Sequence, residues 1–249
     1  MSDLIDITRR EAIVTVTMCR PEARNALSPE LITALEDAIT TIGTDSGARV
    51  LILAGAGKSF CAGMDLKGVI SDPDAMADML RGLSRVMRSI RRLPIPTISR
   101  VQGAAVGGGC GLMVMTDFAV THPEAKVGYP EVDLGVCPAV VAPWLIRKIG
   151  AGRARAMLLA GGTIAGEQGF GLGLATHLAP KAELESTTDE LADLLARGGR
   201  HALAVTKNWL NELDGSFDDA VFDRAAELSA EVIAGPEAQD RLRTIFAKA

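Results

Sequence analysis

The sequence is poor in the residues that build disulfide frameworks and metal sites. Its four cysteines are scattered without a CxxC pair, and its three histidines are isolated from one another. Neither a disulfide framework nor a zinc site is therefore expected, and no metal ligands are predicted. Because unpaired thiols fit a reducing compartment, we predict a cytoplasmic protein. The cysteines concerned are Cys19, Cys61, Cys110 and Cys137.

Excess basic charge and long apolar runs are also missing. The formal net charge is −5 and the isoelectric point is near 5.3, whereas nucleic acids and anionic membranes both require a basic face. The first 18 residues mix charged with apolar side chains, so they predict neither a secretory signal nor a membrane span. A chain of 249 residues with 48% hydrophobic residues can bury a sizeable core. These features favour chemistry on a small molecule, without nucleic acid or membrane as partner.

Strand and helix patterns alternate over the first part of the chain and give way to helices alone in the second. An early helix is predicted to begin with Ser28 as N-cap and Pro29 at its first position, and to end at Gly43. After residue 182, apolar residues recur at helical spacing and no strand pattern is found. We therefore predict an α/β fold, with a core at 1–182 and a helical region at 183–249.

A cluster of small residues lies between a predicted strand at 97–99 and an apolar run at 112–115. The three adjacent glycines at 107–109 leave the backbone N–H groups of this strand-to-helix turn unscreened, and the following helix adds a partial positive charge. An oxyanion could bind there, although close packing of helix on strand would also explain three glycines. A second small-residue turn, at 60–66, follows a strand in the same way.

Two nucleotide-binding motifs are incomplete in this chain. Residues 57–59 resemble the end of a phosphate-binding loop, but that loop needs a glycine where this chain has Ile52. A dinucleotide-binding fingerprint that starts at Gly107 and Gly109 would require its third glycine at Leu112. Neither kind of site is predicted.

Several motifs occur together in the order and spacing of one enzyme family. They are Met18-Cys19-Arg20-Pro21 with Asn25-Ala26-Leu27, Phe60 to Leu66, Gly103 with Gly107-Gly108-Gly109-Cys110, and Pro130-Glu131-Val132 with Leu134-Gly135 and Pro138. The set resembles the enoyl-CoA hydratase/isomerase (crotonase) superfamily over nearly the whole chain. This resemblance implies a spiral of repeated β-β-α turns and a C-terminal helical region that serves in trimer assembly. It also implies a homotrimer or a dimer of trimers.

The resemblance implies an acyl-CoA thioester as substrate, with coenzyme A as part of it and no separate cofactor. In the family, two backbone N–H groups hold the thioester oxygen as it becomes an enolate, and the motifs match these to Met64 and Gly108. A backbone donor aimed at an oxyanion lowers the barrier by roughly 3 to 4 kcal/mol. Coenzyme A lies in the family along a loop and a turn matched here by Ala23, Arg24, Asn25, Ala62, Gly63, Asp65 and Leu66.

One position departs from the family pattern. Hydratases of the family resemble this chain at Glu131 but carry another glutamate at the position of Gly111. Water addition needs a base for water and an acid for the α-carbon, so Glu131 either serves both tasks or catalyses a different reaction. Branched-chain hydratases of the methylglutaconyl-CoA type resemble the segment 131–141, and some of them share the glycine.

We therefore predict an enoyl-CoA hydratase with Glu131 as its catalytic acid/base, and a branched acyl chain as a candidate substrate. A 3,2-enoyl-CoA isomerase that uses one base and a catalytically silent acyl-CoA binder are the alternatives. If the segment is extended, Asp133 shares a face with Glu131 and is a candidate second carboxylate. The glycine at position 111 is expected either to leave space for a bulkier acyl chain or to leave water to be held by Glu131 alone. On residue type alone Glu131 would be an ordinary solvated carboxylate, so the motif is what singles it out.

Overall fold

The computed structural model describes residues 3–67, 69 and 72–246, which form an α/β fold. The strands are β1 (Ile5–Arg10), β2 (Ile13–Met18), β3 (Val50–Gly55), β4 (Thr97–Val101), β5 (Ala105–Val106), β6 (Phe118–Thr121), β7 (Lys126–Gly128), β8 (Thr163–Ala165) and β9 (His177–Leu178). The helices are α1 (Pro29–Thr44), α2 (Pro73–Arg91), α3 (Gly108–Met115), α4 (Ala142–Ile149), α5 (Ala151–Ala160), α6 (Gly166–Leu172), α7 (Leu184–Ala196), α8 (Arg200–Leu213), α9 (Asp219–Ala234) and α10 (Pro236–Phe246). None of the helices in these ranges is both long and apolar enough to cross a membrane.

The strands form two sheets, and helices cover both faces of the larger one. Its strand order is β1-β2-β3-β4-β6-β9, and the smaller sheet has the order β5-β7-β8. In the larger sheet only the β1–β2 pair is antiparallel. Side chains of β3 alternate between two cores: Leu51 and Leu53 lie in the main core, whereas Val50 and Ile52 lie in a smaller core with Leu191 of α7. A parallel strand that is buried on both faces explains the continuous apolar run.

The predicted start of α1 is confirmed. The Oγ atom of Ser28 accepts a hydrogen bond from the backbone N–H of Leu31 at 3.3 Å, and Pro29 is the first helical residue. The predicted end at Gly43 is wrong by one residue, because the helix continues to Thr44. A glycine inside a helix costs only about 1 kcal/mol relative to alanine, so it did not have to end the helix.

After residue 183 the described chain consists of helices joined by short turns, without strands, as predicted, and residues of these helices share a core with the rest of the chain. Phe222 of α9 stacks on Trp144 of α4 with ring centroids 4.4 Å apart. Phe222, Ile233 and Leu242 lie in the same buried cluster as the residues of the larger sheet. The α9 and α10 helices are therefore part of the molecule's main core.

The α8 helix is attached to the rest of the fold through Lys207 and also carries exposed apolar side chains. The Nζ atom of Lys207 is buried and donates hydrogen bonds to Asp117 Oδ2 at 2.7 Å and to Ile95 O at 2.8 Å. Four large apolar side chains of the same helix are each more than half exposed: Val205, Trp209, Leu210 and Leu213. These side chains leave an apolar surface on α8 that the described residues do not cover.

Candidate active site

A cavity of about 680 Å³ lies between segments that are far apart in the sequence. Its walls come from the loop 22–26, the turn 62–67, the start of α3, the segment 130–141, and residues of α2 and α9. Nine of the ten site residues predicted from the sequence line this cavity: Ala23, Arg24, Ala62, Gly63, Met64, Asp65, Leu66, Gly108 and Glu131. The fold thus brings together residues that the motifs had only placed along the chain.

The backbone N–H of Met64 is free because both peptides that flank this residue are fixed by Leu27. The N–H of Leu27 donates to Gly63 O at 2.8 Å, and the N–H of Asp65 donates to Leu27 O at 2.9 Å. In a trans peptide the N–H and C=O point in opposite directions, so the Met64 N–H turns away from Leu27. It has no acceptor among the described residues. Met64 also lines the cavity.

The backbone N–H of Gly108 is the second free donor. Gly108 is the first residue of α3, where the N–H groups lack helical partners and carry a partial positive charge. Within the described residues nothing accepts from it. A Cβ atom on Gly108 would lie 3.9 Å from Cγ of Met64, so the two turns are neighbours. Two adjacent free amides at one cavity have the composition of an oxyanion hole.

Glu131 lies in a short 3₁₀-helix, Pro130–Leu134, and lines the cavity. Its Oε2 atom is buried and has no hydrogen-bond partner within the part of the chain that is described. Burial raises the pKa of Glu131 from its ordinary 4.5 to about 7, and the charge of Asp133 adds to the rise. A carboxyl group that titrates near neutrality can both accept and return a proton.

The other carboxylates of the cavity wall are exposed or already paired. Glu22 is exposed, and Asp65 accepts a hydrogen bond from the Arg20 guanidinium at 2.8 Å. Among the described wall residues, Glu131 is therefore the one with a buried carboxylate oxygen, Oε2, that has no hydrogen-bond partner. No group of three His, Cys, Asp or Glu side chains in the described ranges could hold a metal ion.

The expectation that Asp133 supplies a second carboxylate is wrong. It assumed an extended segment, but a 3₁₀-helix turns Asp133 away from the face that Glu131 occupies. The Oδ2 atom of Asp133 accepts a hydrogen bond from the backbone N–H of Gly162 at 2.9 Å, and Asp133 is not part of the cavity wall.

The expectation that Gly111 leaves space for the acyl chain is also wrong. Gly111 is buried and lies outside the cavity wall. A Cβ atom on Gly111 would lie 2.5 Å from Cε of Met87 and 2.6 Å from Cγ1 of Val141. The space that a glutamate would need is filled by these two side chains, so no room is left for substrate there.

Asn25 is the predicted site residue that the fold does not bring to the cavity. Its side chain is fully buried. The Nδ2 group donates to Ala56 O at 2.9 Å and to Ser59 O at 2.8 Å, and Oδ1 accepts from the Arg20 N–H at 2.9 Å. Asn25 therefore supports the loop from within, whereas its neighbours Ala23 and Arg24 form the cavity surface.

The contribution of α9 could not be found by sequence reasoning. Ser229 and Ile233 line the cavity from one side of this helix. The Ser229 hydroxyl donates to Cys137 O at 2.9 Å and accepts from the Val140 N–H at 3.2 Å, which fixes the opposite wall. The helical spacing of apolar residues predicts the helix, but no local signal identifies a partner about ninety residues earlier.

Comparisons with known proteins agree with the motifs. The family model described as enoyl-CoA hydratase/isomerase matches residues 8–240. Enoyl-CoA hydratase EchA19 of Mycobacterium tuberculosis is 32% identical over 247 residues, which cover 97% of this chain and 93% of the relative. Crotonyl-CoA hydratase of Syntrophomonas wolfei is 32% identical over 231 residues, which cover 91% of this chain and 87% of the relative.

A solved structure extends this similarity to the fold. The crystal structure of an enoyl-CoA hydratase from Mycobacterium avium has a TM-score of 0.88 and 29% sequence identity, with coverage of 100% of this chain and 98% of that chain. The family match includes the whole cavity wall, from Glu22 to Ile233. The resemblance inferred from the motifs is thereby confirmed, and the chain belongs to the enoyl-CoA hydratase/isomerase family.

Proposed function

We propose that this protein is an enoyl-CoA hydratase that adds water to a 2-enoyl-CoA thioester with Glu131 as its only acid/base side chain. The observation that carries the proposal is the free Oε2 atom of Glu131, which is buried in the same cavity wall as two free backbone amides. A buried carboxylate without a partner costs desolvation free energy, so it points to a chemical task. The hydratases among its relatives support the reaction class.

The proposed reaction uses one proton twice. The oxygen of water forms a bond to C3 of the enoyl group while the Glu131 carboxylate accepts one proton of that water. The electron pair of the double bond moves to the thioester oxygen, where the N–H groups of Met64 and Gly108 stabilise the enolate. The Glu131 carboxyl group then returns its proton to C2, which gives the 3-hydroxyacyl thioester and restores the enzyme.

The coenzyme A part of the substrate is proposed to lie along the loop and the turn that form the outer wall. Ala23 and Arg24 contribute from the loop, and Ala62, Gly63 and Leu66 contribute from the turn. Small side chains on this wall let a ligand approach the backbone closely. A branched acyl chain remains a candidate substrate, and a panel of straight and branched enoyl-CoA thioesters would compare them.

A 3,2-enoyl-CoA isomerase is the second candidate function. The filled space beside Gly111 favours it, because a second catalytic carboxylate has no room there. Isomerisation needs one base that removes a proton from C2 and returns it to C4, and Glu131 alone meets that need.

One assay separates these functions. A hydratase removes the absorbance of the conjugated thioester when crotonyl-CoA is added, whereas an isomerase creates that absorbance from a 3-enoyl-CoA. A silent acyl-CoA binder changes neither signal but still binds the thioester in calorimetry. Loss of the crotonyl-CoA band supports the proposal, and persistence of the band at high enzyme concentration, with crotonyl-CoA and with every branched enoyl-CoA of the panel, would reject it.

We also propose a homotrimer or a dimer of trimers, with residues 183–249 as the oligomerisation region. The exposed apolar surface of α8, which includes Trp209 and Leu213, supports this assembly. The free thiols Cys61 and Cys110 fit the proposed cytoplasmic location. Sedimentation equilibrium would measure the mass, and a monomer would contradict the assembly.

A further inference from the structure

We propose that Arg20 is a positioning residue that fixes the free N–H of Met64 through an ion pair with Asp65. The inference rests on the proposed function, because it gives Arg20 a part in holding the thioester oxygen. It also gives Asp65, a predicted coenzyme A contact, a different task.

The Arg20 guanidinium links the two segments that meet at the donor. Its Nη2 atom lies 2.8 Å from Oδ2 of Asp65, and its Nη1 atom donates to Ala26 O at 2.5 Å. Asp65 directly follows Met64, and Ala26 directly precedes Leu27, the residue that fixes the flanking peptides of Met64. The planar guanidinium of Arg20 therefore holds both segments of the contact between Leu27 and Met64.

The backbone alone holds this contact weakly. Leu27 and Met64 form an isolated bridge rather than part of a longer ladder, so two hydrogen bonds determine the peptide orientation. The residue before Met64 is Gly63, whose φ of +97° leaves its backbone without side-chain restraint. A small rotation of the Gly63–Met64 peptide would turn the N–H away from a ligand, and misplacement by 1 Å can lower a rate by two orders of magnitude.

The ion pair is placed to resist that rotation. The Arg20 and Asp65 side chains are only 18% and 23% exposed, so solvent screens them less than a surface pair. Charge-assisted hydrogen bonds to a carboxylate are among the strong ones in proteins. Arg20 itself is anchored, because its backbone N–H and C=O both bond to the buried Asn25. The chain of contacts therefore runs from the buried Asn25 to the donor of Met64.

The test compares Arg20→Met, Arg20→Lys, Asp65→Asn and the Arg20→Met/Asp65→Asn double variant in the full-length protein. We expect kcat on crotonyl-CoA to fall 10- to 100-fold in Arg20→Met and Asp65→Asn, while the Kd of the unreactive butyryl-CoA stays within about threefold. The double variant should be no slower than the slower single variant, because the two residues act as a unit. Arg20→Lys should recover part of kcat, since lysine keeps the charge but not the two-pronged contact.

A spectroscopic measurement distinguishes positioning from general support of the fold. Hydrogen bonds to a thioester oxygen polarise the carbonyl and move the absorption band of a bound conjugated aryl-enoyl-CoA to longer wavelength. The wild type should show this shift and Arg20→Met should lose most of it. The matched control is Arg9→Met, which removes another arginine–aspartate ion pair. In that surface pair, Nη1 of Arg9 lies 2.6 Å from Oδ2 of Asp45. Arg9→Met should change neither kcat nor the absorption band.

Three outcomes would overturn the inference. The first is that Arg20→Met and Asp65→Asn keep kcat within twofold and keep the band shift. The second is that Asp65→Asn weakens butyryl-CoA binding with kcat unchanged, which would make Asp65 a direct coenzyme A contact. The third is that none of the variants folds, as judged by thermal melting. If the wild type turns over no enoyl-CoA, the proposed function fails instead, and the band shift still tests the ion pair.

Discussion

A Cβ atom on Gly107 would lie 2.9 Å from Oε1 of Glu131. Gly107 also has a φ of +55°, and its N–H donates to Gly128 O at 2.8 Å, so the backbone is held in a conformation that favours glycine. The glycine therefore leaves the space in which the carboxylate lies, one residue before the free N–H of Gly108. The proposed proton carrier and the proposed oxyanion donor are thus set by the same turn.

Glu131→Gln should lower turnover of crotonyl-CoA by about 10² to 10⁴ fold, because an amide cannot accept and return the proton. Glutamine has nearly the same volume, so fold and acyl-CoA binding should be retained. The measurement is steady-state kinetics together with calorimetric binding of butyryl-CoA. Turnover within a few fold of the wild type would remove Glu131 from the mechanism.

The pH dependence of kcat should report the ionisation of Glu131. The proposed hydration starts with the carboxylate form, and burial raises the pKa of this group to about 7. We therefore expect kcat to rise about tenfold per pH unit below pH 7 and to level off above it. A profile that is flat between pH 5.5 and 8.5 would contradict this assignment.

The same carboxyl group should make the protein less stable at high pH. Its pKa is about 7 when folded and near 4.5 when unfolded, so the folded state keeps its proton over a range where the unfolded state has lost it. The free energy of unfolding therefore decreases as pH rises from 4.5 to 7, by at most about 3 kcal/mol from this group. Glu131→Gln should be more stable than the wild type at pH 8, and the difference should shrink towards pH 4.5. Denaturant unfolding at several pH values measures the difference in unfolding free energy between Glu131→Gln and the wild type. A difference that does not change with pH would contradict its assignment to the ionisation of Glu131.

Gly111→Ala should destabilise the fold, although alanine favours helices. The new methyl group would meet Cε of Met87 at 2.5 Å and Cγ1 of Val141 at 2.6 Å, and such overpacking costs about 1 to 3 kcal/mol. Gly152→Ala in α5 is the matched control, because nothing lies within 4 Å of its Cβ position. That control should stabilise the protein by up to about 1 kcal/mol. Urea unfolding measures the unfolding free energy of both variants. Equal values would show that Met87 and Val141 can move to accommodate the new methyl group without cost.

The two proposed oxyanion donors should respond differently to substitution. Met64→Ala should keep most of kcat, since only its backbone N–H acts on the substrate. Gly108→Val should abolish turnover, because its side chain would crowd Met64 and Leu83 at the cavity wall, where a Cβ atom already lies 2.9 Å from Cδ2 of Leu83. Kinetics and thermal melting of both variants check this. If Gly108→Val kept the turnover of the wild type, the thioester oxygen would not bind at the N–H of Gly108.

Nine of the ten residues that the motifs singled out line one cavity, because the motifs lie in short segments whose backbone forms its wall. Small-residue turns around Met64 and Gly108 follow strands, and that pattern is visible in the sequence. The capped start of α1 at Ser28 was equally accessible, because capping depends on residues next to one another.

The wrong expectations share a different physical origin. Whether Asp133 faced the substrate depended on a choice between extended and 3₁₀ backbone that side-chain types do not decide. Whether Gly111 left open space depended on Met87 and Val141, which approach it from other parts of the chain. The pairing of Asp65 with Arg20 likewise joins positions 45 residues apart. Contacts between distant segments determined the surroundings of Gly111 and the pairing of Asp65, and periodicity carries no information about such contacts.

The hydrogen bonds between Ser229 of α9 and the loop after Glu131 join parts of the site that are synthesised at different times. A ribosome that has just added Val140 must still add 89 residues before the hydroxyl of Ser229 exists to bond with it. Until then the cavity lacks the wall residues Ser229 and Ile233, which α9 supplies. The cavity of the proposed active site is therefore completed only late in synthesis, when the last helices of the chain have been made.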